Sequence, residues 1–432
     1  MSHLLKDISY GPLCLVGGGL ALLSYFAIEE FLITKYNRVE LYKALQNLND
    51  SNPETREQGI LFIFDYIHNK EQVEKKDPAE EKKDILYEHN TLRKCLKLLT
   101  TFFDTNTDKT NQCALIIIRE LICGPASIER RRHFNMSLKG LPTLFQCCLS
   151  DNEKVVLPAL RALKSGTTFE VFKKELEDDV PRGSEGGAIL LKSVEPEDLY
   201  RLASMLNGQE NTEILRGVTS ILSHISHSQS GAMVLAEQES VVSSLLPLLT
   251  SHVDNISKNA VITLANIAKV NFEQHEDCLA TGLRSILKTL NNQTKLPQKI
   301  AVLEYMSALA QHFATKPMAM RDNIASQLLE LKEQCEYLFR LAEAENAQIR
   351  DPARVFTQLF TQPSYTSQAD TFSLLETAVK QRIKMEQEEK VKKMIQSMRQ
   401  MGIDIPPHIL STMTPNDIQQ LYFQMMQQYG MM

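Results

Sequence analysis

The sequence contains no tryptophan, and glycine and proline are sparse, at 17 and 16 of 432 residues. Residues that interrupt helices are therefore few, and the composition favours α-helix. Positive charge is not in surplus either, because 47 lysines and arginines stand against 53 aspartates and glutamates, for a net charge of -6. The chain as a whole is accordingly not expected to bind nucleic acid.

Motifs that carry catalysis or hold a cofactor are also missing. The sequence has no HExxH, GxSxG, P-loop or kinase pattern, and its eight cysteines form no CxxC pair. His224 and His227 lie three positions apart, but no third metal ligand has a matching spacing. We therefore expect no enzyme activity, no cofactor and no metal, and free thiols in a reducing compartment.

One uncharged stretch runs from Ile8 to Ile28. A helix of about 20 residues crosses the hydrocarbon core of a bilayer. We therefore predict a transmembrane signal anchor over residues 8–33, after a short segment 1–7; a cleaved signal peptide and a buried first helix are the alternatives. The basic residues that follow favour a cytosolic position for the rest of the chain: Lys35, Arg38 and Lys43.

A repeated pattern occupies the middle of the chain. An apolar column recurs at Ile67, Leu121, Leu163, Ile225, Ile267, Leu309 and Leu359. A second column of mostly small or β-branched residues lies seven positions before it, at Ile60, Ala114, Val156, Val218, Ala260, Val302 and Pro352. Several of the steps are 42 residues, such as Ile225 to Ile267, which is typical of helical repeats of about 40–47 residues.

Residues 259–269 (NAVITLANIAK) carry a resemblance to a known family. Their small residue, leucine, asparagine and isoleucine resemble the third helix of an armadillo repeat: Ala260, Leu264, Asn266 and Ile267. Residues 241–250 resemble the helix that precedes it. The resemblance implies an all-α, armadillo-like or HEAT-like solenoid superhelix over residues 39–362, with six or seven repeats and loops near 70–84 and 178–196.

Armadillo proteins typically bind peptides or partner proteins in a concave groove that the third helices line. The equivalent positions here predict a protein-binding column at Tyr66, Glu120, His224, Asn266 and Gln358, with Ala162 and Ala308 between them. Recognition of the importin-alpha type is not expected, because that branch uses a ladder of asparagines and tryptophans. Asn266 alone also fits a purely structural role in its helix.

Two further segments are candidates for binding. Arg130, Arg131 and Arg132 form the sharpest basic cluster, either a solvated turn or a patch for an acidic partner or lipid headgroup. Residues 363–432 are predicted as a polar linker and an amphipathic, methionine-rich helical tail. The apolar face of its last helix packs on the repeats as a cap or binds a partner: Leu421, Tyr422, Met425 and Met426.

These features together predict a membrane-tethered protein-binding scaffold. An N-terminal span followed by repeats resembles the architecture of metazoan mitochondrial outer-membrane armadillo proteins. We therefore favour that membrane, with the endoplasmic reticulum or the mitochondrial inner membrane as alternatives. Two other functions stay open: a structural or assembly subunit of a large membrane complex, and a nucleotide-exchange cochaperone of Hsp70.

Overall fold

The computed structural model describes residues 39–68, 78–124, 127–168, 185–400, 402–403, 405–410 and 413–428, and these residues form helices and turns without any β-strand. The predicted membrane span, 8–33, lies outside them. The helices are α1 (39–47), α2 (Pro53–His68), α3 (Pro78–Glu88), α4 (Thr91–Thr101), α5 (Asp108–Ile122), α6 (Ile128–Arg132), α7 (Gly140–Cys148), α8 (Glu153–Thr167), α9 (Glu185–Leu191), α10 (Pro196–Ser204), α11 (Thr212–Ser226), α12 (Gln229–Ala236), α13 (Glu239–Leu245), α14 (Asp254–Asn271), α15 (Glu276–Lys288), α16 (Leu296–Phe313), α17 (Met318–Glu330), α18 (Lys332–Leu341), α19 (Ala347–Phe360), α20 (Ala369–Gln400), α21 (Pro407–Leu410) and α22 (Pro415–Gln428). The all-α prediction is confirmed for the described residues.

Each residue of the apolar column lies on a different helix. We call these the column helices: α2, α5, α8, α11, α14, α16 and α19. The column is buried from Ile67 to Leu309, but Leu359 is half-buried and Phe360 is fully buried in its place. The predicted register of the last repeat is therefore wrong by one residue, because the Phe360 ring packs against the rings of Phe356, Tyr365 and Phe372.

The chain divides into two compact units, Met1–Asp198 with Asn211–Gly217, and Leu199–Glu210 with Val218–Met432. In the first unit, α5 packs between α2 and α8, and α4 and α7 lie against α5 and α8. In the second unit, α16 packs between α14 and α19, while α12 covers α14 and α18 covers α19. Within each unit, these column helices thus hide their apolar sides against one another, as expected when no single repeat can bury its own core.

Small residues allow the close helix contacts that this stacking needs. Ala114 and Ala260, seven positions before the column residues of α5 and α14, are completely buried. In contrast, Pro352 of α19 is half-buried and Ala353 is completely buried, which is the same one-residue shift seen at Phe360. In every column helix, the buried residue of the second column therefore lies seven positions before the buried residue of the first column, and in α19 both are shifted by one position.

Two predicted loops are partly helical. Residues 78–84 belong to α3, which begins with a proline and carries Glu80 and Glu81 in its first turn, both favourable at a helix start. Within 178–196, α9 packs against the end of α8: a Cβ on Gly186 would lie 2.8 Å from the Thr167 carbonyl oxygen. The charged residues around α3 and the glycines around α9 made both segments resemble loops in the sequence. The apolar contacts that hold these helices involve residues distant in sequence.

The segment predicted as a polar linker after the last repeat is packed against the repeats at its centre. Tyr365 and Thr366 are buried, and the Tyr365 hydroxyl donates to the Ala310 carbonyl oxygen at 2.8 Å. Asp322 accepts hydrogen bonds from the Thr366 hydroxyl at 2.6 Å and from the Ser367 amide at 2.8 Å. A short polar segment is therefore fixed to α16 and α17, and α20 leaves the repeats from a defined point.

In the part of the chain that the structure describes, no single helix has the length and apolar composition needed to cross a membrane. One pair of helical segments meets both criteria only together, Gln229–Ala236 with Glu239–Thr250, and it is bent by 95°.

Candidate protein-binding faces

In the first unit, each column helix keeps one strip of side chains accessible. On α5 the strip runs through Lys109, Gln112, Ile116 and Glu120, at the three- and four-residue spacing that puts side chains on one side of a helix. The neighbouring helices contribute matching strips. We call the accessible strips of α2, α5 and α8 the first-unit face.

A depression of about 540 Å³ lies between α5 and α8 on this face. Its floor includes the half-buried Leu157 and Pro158, and its rim carries both signs of charge. The rim residues are Asp108, Lys109, Glu153, Lys154 and Arg161. An apolar floor with mixed charges around it suits a polypeptide, which brings apolar side chains together with polar backbone and charged groups.

The second unit has an equivalent surface on α14, α16 and α19, the second-unit face. A depression of about 460 Å³ lies there, with Phe272, Ala308 and Pro352 among its apolar lining. Lys269 on α14 and Glu304 on α16 form an ion pair across it at 2.6 Å. Because both side chains are about one third exposed, this pair is expected to orient the rim rather than to stabilise the fold strongly.

A charge cluster borders the second-unit face. Glu276 accepts hydrogen bonds from Lys316 at 2.8 Å and from His312 at 2.9 Å. The hydrogen bond from Lys316 is the largest cause that lowers the pKa of Glu276, and the hydrogen bond from His312 is the next. The hydrogen bond to Glu276 in turn raises the pKa of Lys316. The His312 ring also stacks on Phe272 at 4.7 Å between centroids, so this end of the face is held in place.

No protein-family model matches the sequence, and no curated protein matches it. Solved structures do resemble the fold. One of them concerns the interaction between cadherin and β-catenin, which a conserved phosphorylation switch controls. It aligns with 80% of this chain and 56% of its own, with a TM-score of 0.58 and 14% identity. A designed armadillo repeat protein aligns with 61% of this chain (98% of its own, TM-score 0.44, 18% identity). Another, designed computationally for modular peptide recognition, aligns with 62% (98% of its own, TM-score 0.45, 17% identity).

The chain has an armadillo-like repeat fold. The residues of the predicted binding column lie on the column helices. Tyr66 of α2 and Glu120 of α5 are half-buried on the first-unit face. Lys82 lies over the Tyr66 ring at 5.4 Å, and Lys83 lies 3.9 Å from the Glu120 carboxylate. Helix α3 therefore already contacts this end of the armadillo-like face.

Ala162 of α8 is completely buried, and the remaining residues of the binding column belong to the second unit. The Asn266 amide donates to the Ser226 hydroxyl of α11 at 3.1 Å, so it links two successive armadillo-like repeats. This contact favours the structural interpretation of Asn266. His224 is half-buried on α11, and Gln358 is exposed on α19, separated from Asn266 by α16.

The predicted basic patch is not an exposed cluster. Arg130 and Arg131 are each only 3% exposed, and Arg132 alone is exposed. Arg130 pairs with Glu80 at 2.6 Å and Asp84 at 2.5 Å. Burial raises the pKa of Glu80, but the hydrogen bonds from Arg130 and Lys83 outweigh it and leave the pKa below its usual value.

Arg131 is directed into the repeat instead. Its Nε donates to the Ile122 carbonyl oxygen at 2.8 Å, and one terminal nitrogen donates to the Gly124 carbonyl oxygen at 3.2 Å. Two of the three arginines thus satisfy carbonyl groups at the end of α5 and carboxylates of α3. Three consecutive arginines do not by themselves indicate these partners, because the partners lie up to 50 positions away in the sequence.

The tail residues lie on α22, which packs against α20. Leu421, Tyr422, Met425 and Met426 are all half-buried, and Ile418, on the preceding turn, is buried. The next residue after Tyr422, Phe423, is 45% exposed and was not among the predicted site residues. The three- and four-residue spacing predicted the packed side of α22. It did not include Phe423, because that ring lies beside the packed side.

Several cysteines are unsuited to nucleophilic chemistry. Burial raises the pKa of Cys95, Cys147 and Cys335 to about 12, so at neutral pH they are thiols rather than reactive thiolates. Among the described residues, no group of three or more histidine, cysteine, aspartate or glutamate side chains is placed to hold a metal ion.

Proposed function

We propose that this chain is a protein-binding scaffold, in which the armadillo-like faces of the two units each hold a polypeptide. The observation that carries the proposal is the accessible strip on successive column helices, seen most clearly where α5 and α8 enclose the depression around Leu157. Helices that bury one side against their neighbours leave the other side available to a partner.

The chemistry of the faces favours a polypeptide of mixed character. Leu157 and Ile116 offer half-buried apolar contacts, while Gln112 offers amide groups to a peptide backbone. Lysines and carboxylates alternate around them, so neither a strongly basic nor a strongly acidic partner is favoured. The neighbouring structure of β-catenin with cadherin concerns binding to another protein, which agrees with this class of function.

Charge reversal on the first-unit face tests this proposal. The double variant Lys109→Glu with Lys154→Glu changes two exposed rim residues without touching the core. The matched control, Arg93→Glu with Lys192→Glu, reverses two exposed charges of the same unit away from the depression. Quantitative mass spectrometry of co-purified proteins is expected to show a defined set lost from the face variant and retained by the control. Identical sets would contradict the proposal.

We also propose that residues 8–33 tether the scaffold to a membrane, with the repeats on the cytosolic side of a mitochondrial outer membrane. The uncharged run from Ile8 to Ile28 and the basic residues after it support this part. A C-terminal tag on isolated organelles is expected to be digested by added protease while the membrane is intact. Full protection of the tag, or recovery of the chain in the carbonate-soluble fraction, would contradict it.

A further inference from the structure

Helices α20 and α22 form a small packed element at the end of the chain. Beyond α20, Gly402 adopts a φ of 82°, and the Ile403 amide donates back to the Met398 carbonyl oxygen at 3.0 Å. Gly402 thus ends α20 with the left-handed residue that commonly terminates helices.

The start of α22 is fixed in a similar way. The Asp417 amide donates to the Thr414 hydroxyl at 3.2 Å, and the Asp417 carboxylate accepts from the Thr414 amide at 2.8 Å, a reciprocal cap. Met398 of α20 is completely buried and Ile418 of α22 is nearly so. The two helices therefore have defined ends, pack against each other and each bury an apolar side chain.

Their packing leaves a groove of about 740 Å³, which we call the tail groove. Its apolar lining comes from both helices, and the ring of Phe423 is 45% exposed there. The apolar residues are Val391, Met394, Tyr422 and Phe423. The size falls within the range of about 300–1,000 Å³ that binding clefts occupy.

The tail groove carries positive charge in a chain that is negative as a whole. Lys390 and Lys393 line it, and Glu345 is the one carboxylate among its lining residues in the described part of the chain. The surrounding stretch of α20, residues 380–393, holds six lysines and arginines but three glutamates.

Ion pairs involve two of those three glutamates but also three of the six cations, since Lys380 pairs with Glu376 and Arg382 with Glu336. Glu386 pairs with Arg340 and Glu389 with Lys393. Within the ranges that the structure describes, no carboxylate forms an ion pair with Lys390 or Lys392. Of the two lysines that line the groove, Lys393 is paired with Glu389, and Lys390 therefore supplies the available positive charge beside the exposed Phe423 ring.

We propose that the tail groove docks an amphipathic helix that presents acidic side chains beside its apolar stripe. Such a helix would cover Phe423 and Val391 with its apolar side and place carboxylates near Lys390. A third helix is the natural occupant of a channel between two helices, because side-chain ridges fit into such grooves. The Met394 thioether can adapt to different apolar side chains. This site is separate from the armadillo-like faces and does not depend on them.

The test uses the full-length chain and two synthetic probes. Both are helical peptides of about 14 residues with leucines spaced three and four apart, one with glutamates and the other with lysines at the polar positions. Fluorescence anisotropy is expected to show that the glutamate peptide binds at least about tenfold more tightly than the lysine peptide. In the double variant Phe423→Ser with Lys390→Glu, this preference is expected to disappear.

A matched variant distinguishes the groove from general attraction to α20. Leu374 is 72% exposed on α20 and Lys384 is also exposed, and neither lines the groove. Leu374→Ser with Lys384→Glu is expected to bind the glutamate peptide within about twofold of the unaltered chain. Equal binding of the two peptides, or equal loss in both double variants with unchanged circular dichroism, would overturn the proposal. Binding of single-stranded RNA or anionic vesicles that needs Lys390 but not Phe423 would overturn it as well.

Discussion

Arg56 offers the sharpest prediction about what holds the first unit together. Among the described residues it is the largest completely buried side chain, at 1% exposure, and none of their carboxylates pairs with it. Its guanidinium donates to neutral acceptors of two separate turns: the Asp50 and Ser51 carbonyl oxygens, the Thr105 hydroxyl and the Asn106 side chain, at 2.8–3.0 Å. The Phe102 ring lies 4.3 Å from it.

The variant Arg56→Met keeps the apolar stem and removes every donor. A buried neutral acceptor that is left without its donor typically costs about 1–3 kcal/mol. Asp50 and Ser51 are exposed, so water can replace the donors at their carbonyl oxygens, and a loss of about 3 kcal/mol is expected, mainly from the Thr105 and Asn106 side chains. Arg56→Lys keeps the charge but cannot reproduce the forked N–H donors of the guanidinium. Its free energy of unfolding is expected to fall by about half as much as that of Arg56→Met.

Hydrogen exchange followed by mass spectrometry measures this locally, without requiring the whole chain to unfold in one step. A loss of about 3 kcal/mol corresponds to exchange about a hundredfold faster in peptides from α2 and α4. Arg93→Met, an exposed arginine of α4, is the control and is expected to leave exchange unchanged. Unaltered exchange in Arg56→Met would refute the argument that the buried guanidinium joins the two turns.

Three further predictions concern the second unit and the thiols. Phe360→Ala removes a completely buried ring and is expected to cost about 3–5 kcal/mol, clearly more than Leu359→Ala at its half-buried neighbour, by thermal unfolding; equal losses would contradict the shifted register. The hydrogen bonds from Thr366 and Ser367 lower the pKa of Asp322. Their stabilisation of the segment between α19 and α20 is therefore fully present above pH about 4 and is lost as the pH falls through the lowered pKa. Relative to the intrinsic exchange rate at each pH, acidification should therefore lower the hydrogen-exchange protection of residues 361–372 more in the unaltered chain than in Asp322→Asn, and equal responses would contradict this role. Because burial raises the pKa of Cys147 and Cys335 to about 12, iodoacetamide at about pH 8 is expected to modify both only in urea; rapid modification of the folded chain would contradict their burial.

The repeat could be predicted from the sequence because its signal is local and recurs. A buried residue on each column helix must be apolar, and the residue seven positions earlier must allow a close contact, so Ile225, Ile267 and Leu309 stand out without any knowledge of their partners. The last repeat departed from the pattern because Phe360 competes with Leu359 for the same core position. Only the aromatic cluster around Phe360 decides between them.

The site could be predicted only in outline, because its details depend on contacts between distant residues. The sequence places Asn266 on the correct helix, but the Ser226 hydroxyl that accepts its hydrogen bond lies 40 positions earlier. Likewise, three consecutive arginines suggested an exposed patch, although Arg130 faces carboxylates 46 and 50 positions away. Phe423 was missed because helical periodicity identifies the packed side of α22, whereas a docking residue lies beside it.

Site-specific photocrosslinking in cells tests the proposed scaffold function most directly. A photoreactive amino acid is placed at Gln112, Arg161 or Gln311 on the two faces, and at the exposed positions Arg93 and Gln229 away from them. Polypeptide-binding faces predict discrete crosslinked partners from the first three positions and none from the last two. Crosslinks from Arg93 and Gln229 alone, or the same products from all five positions, would contradict the proposed use of the column helices.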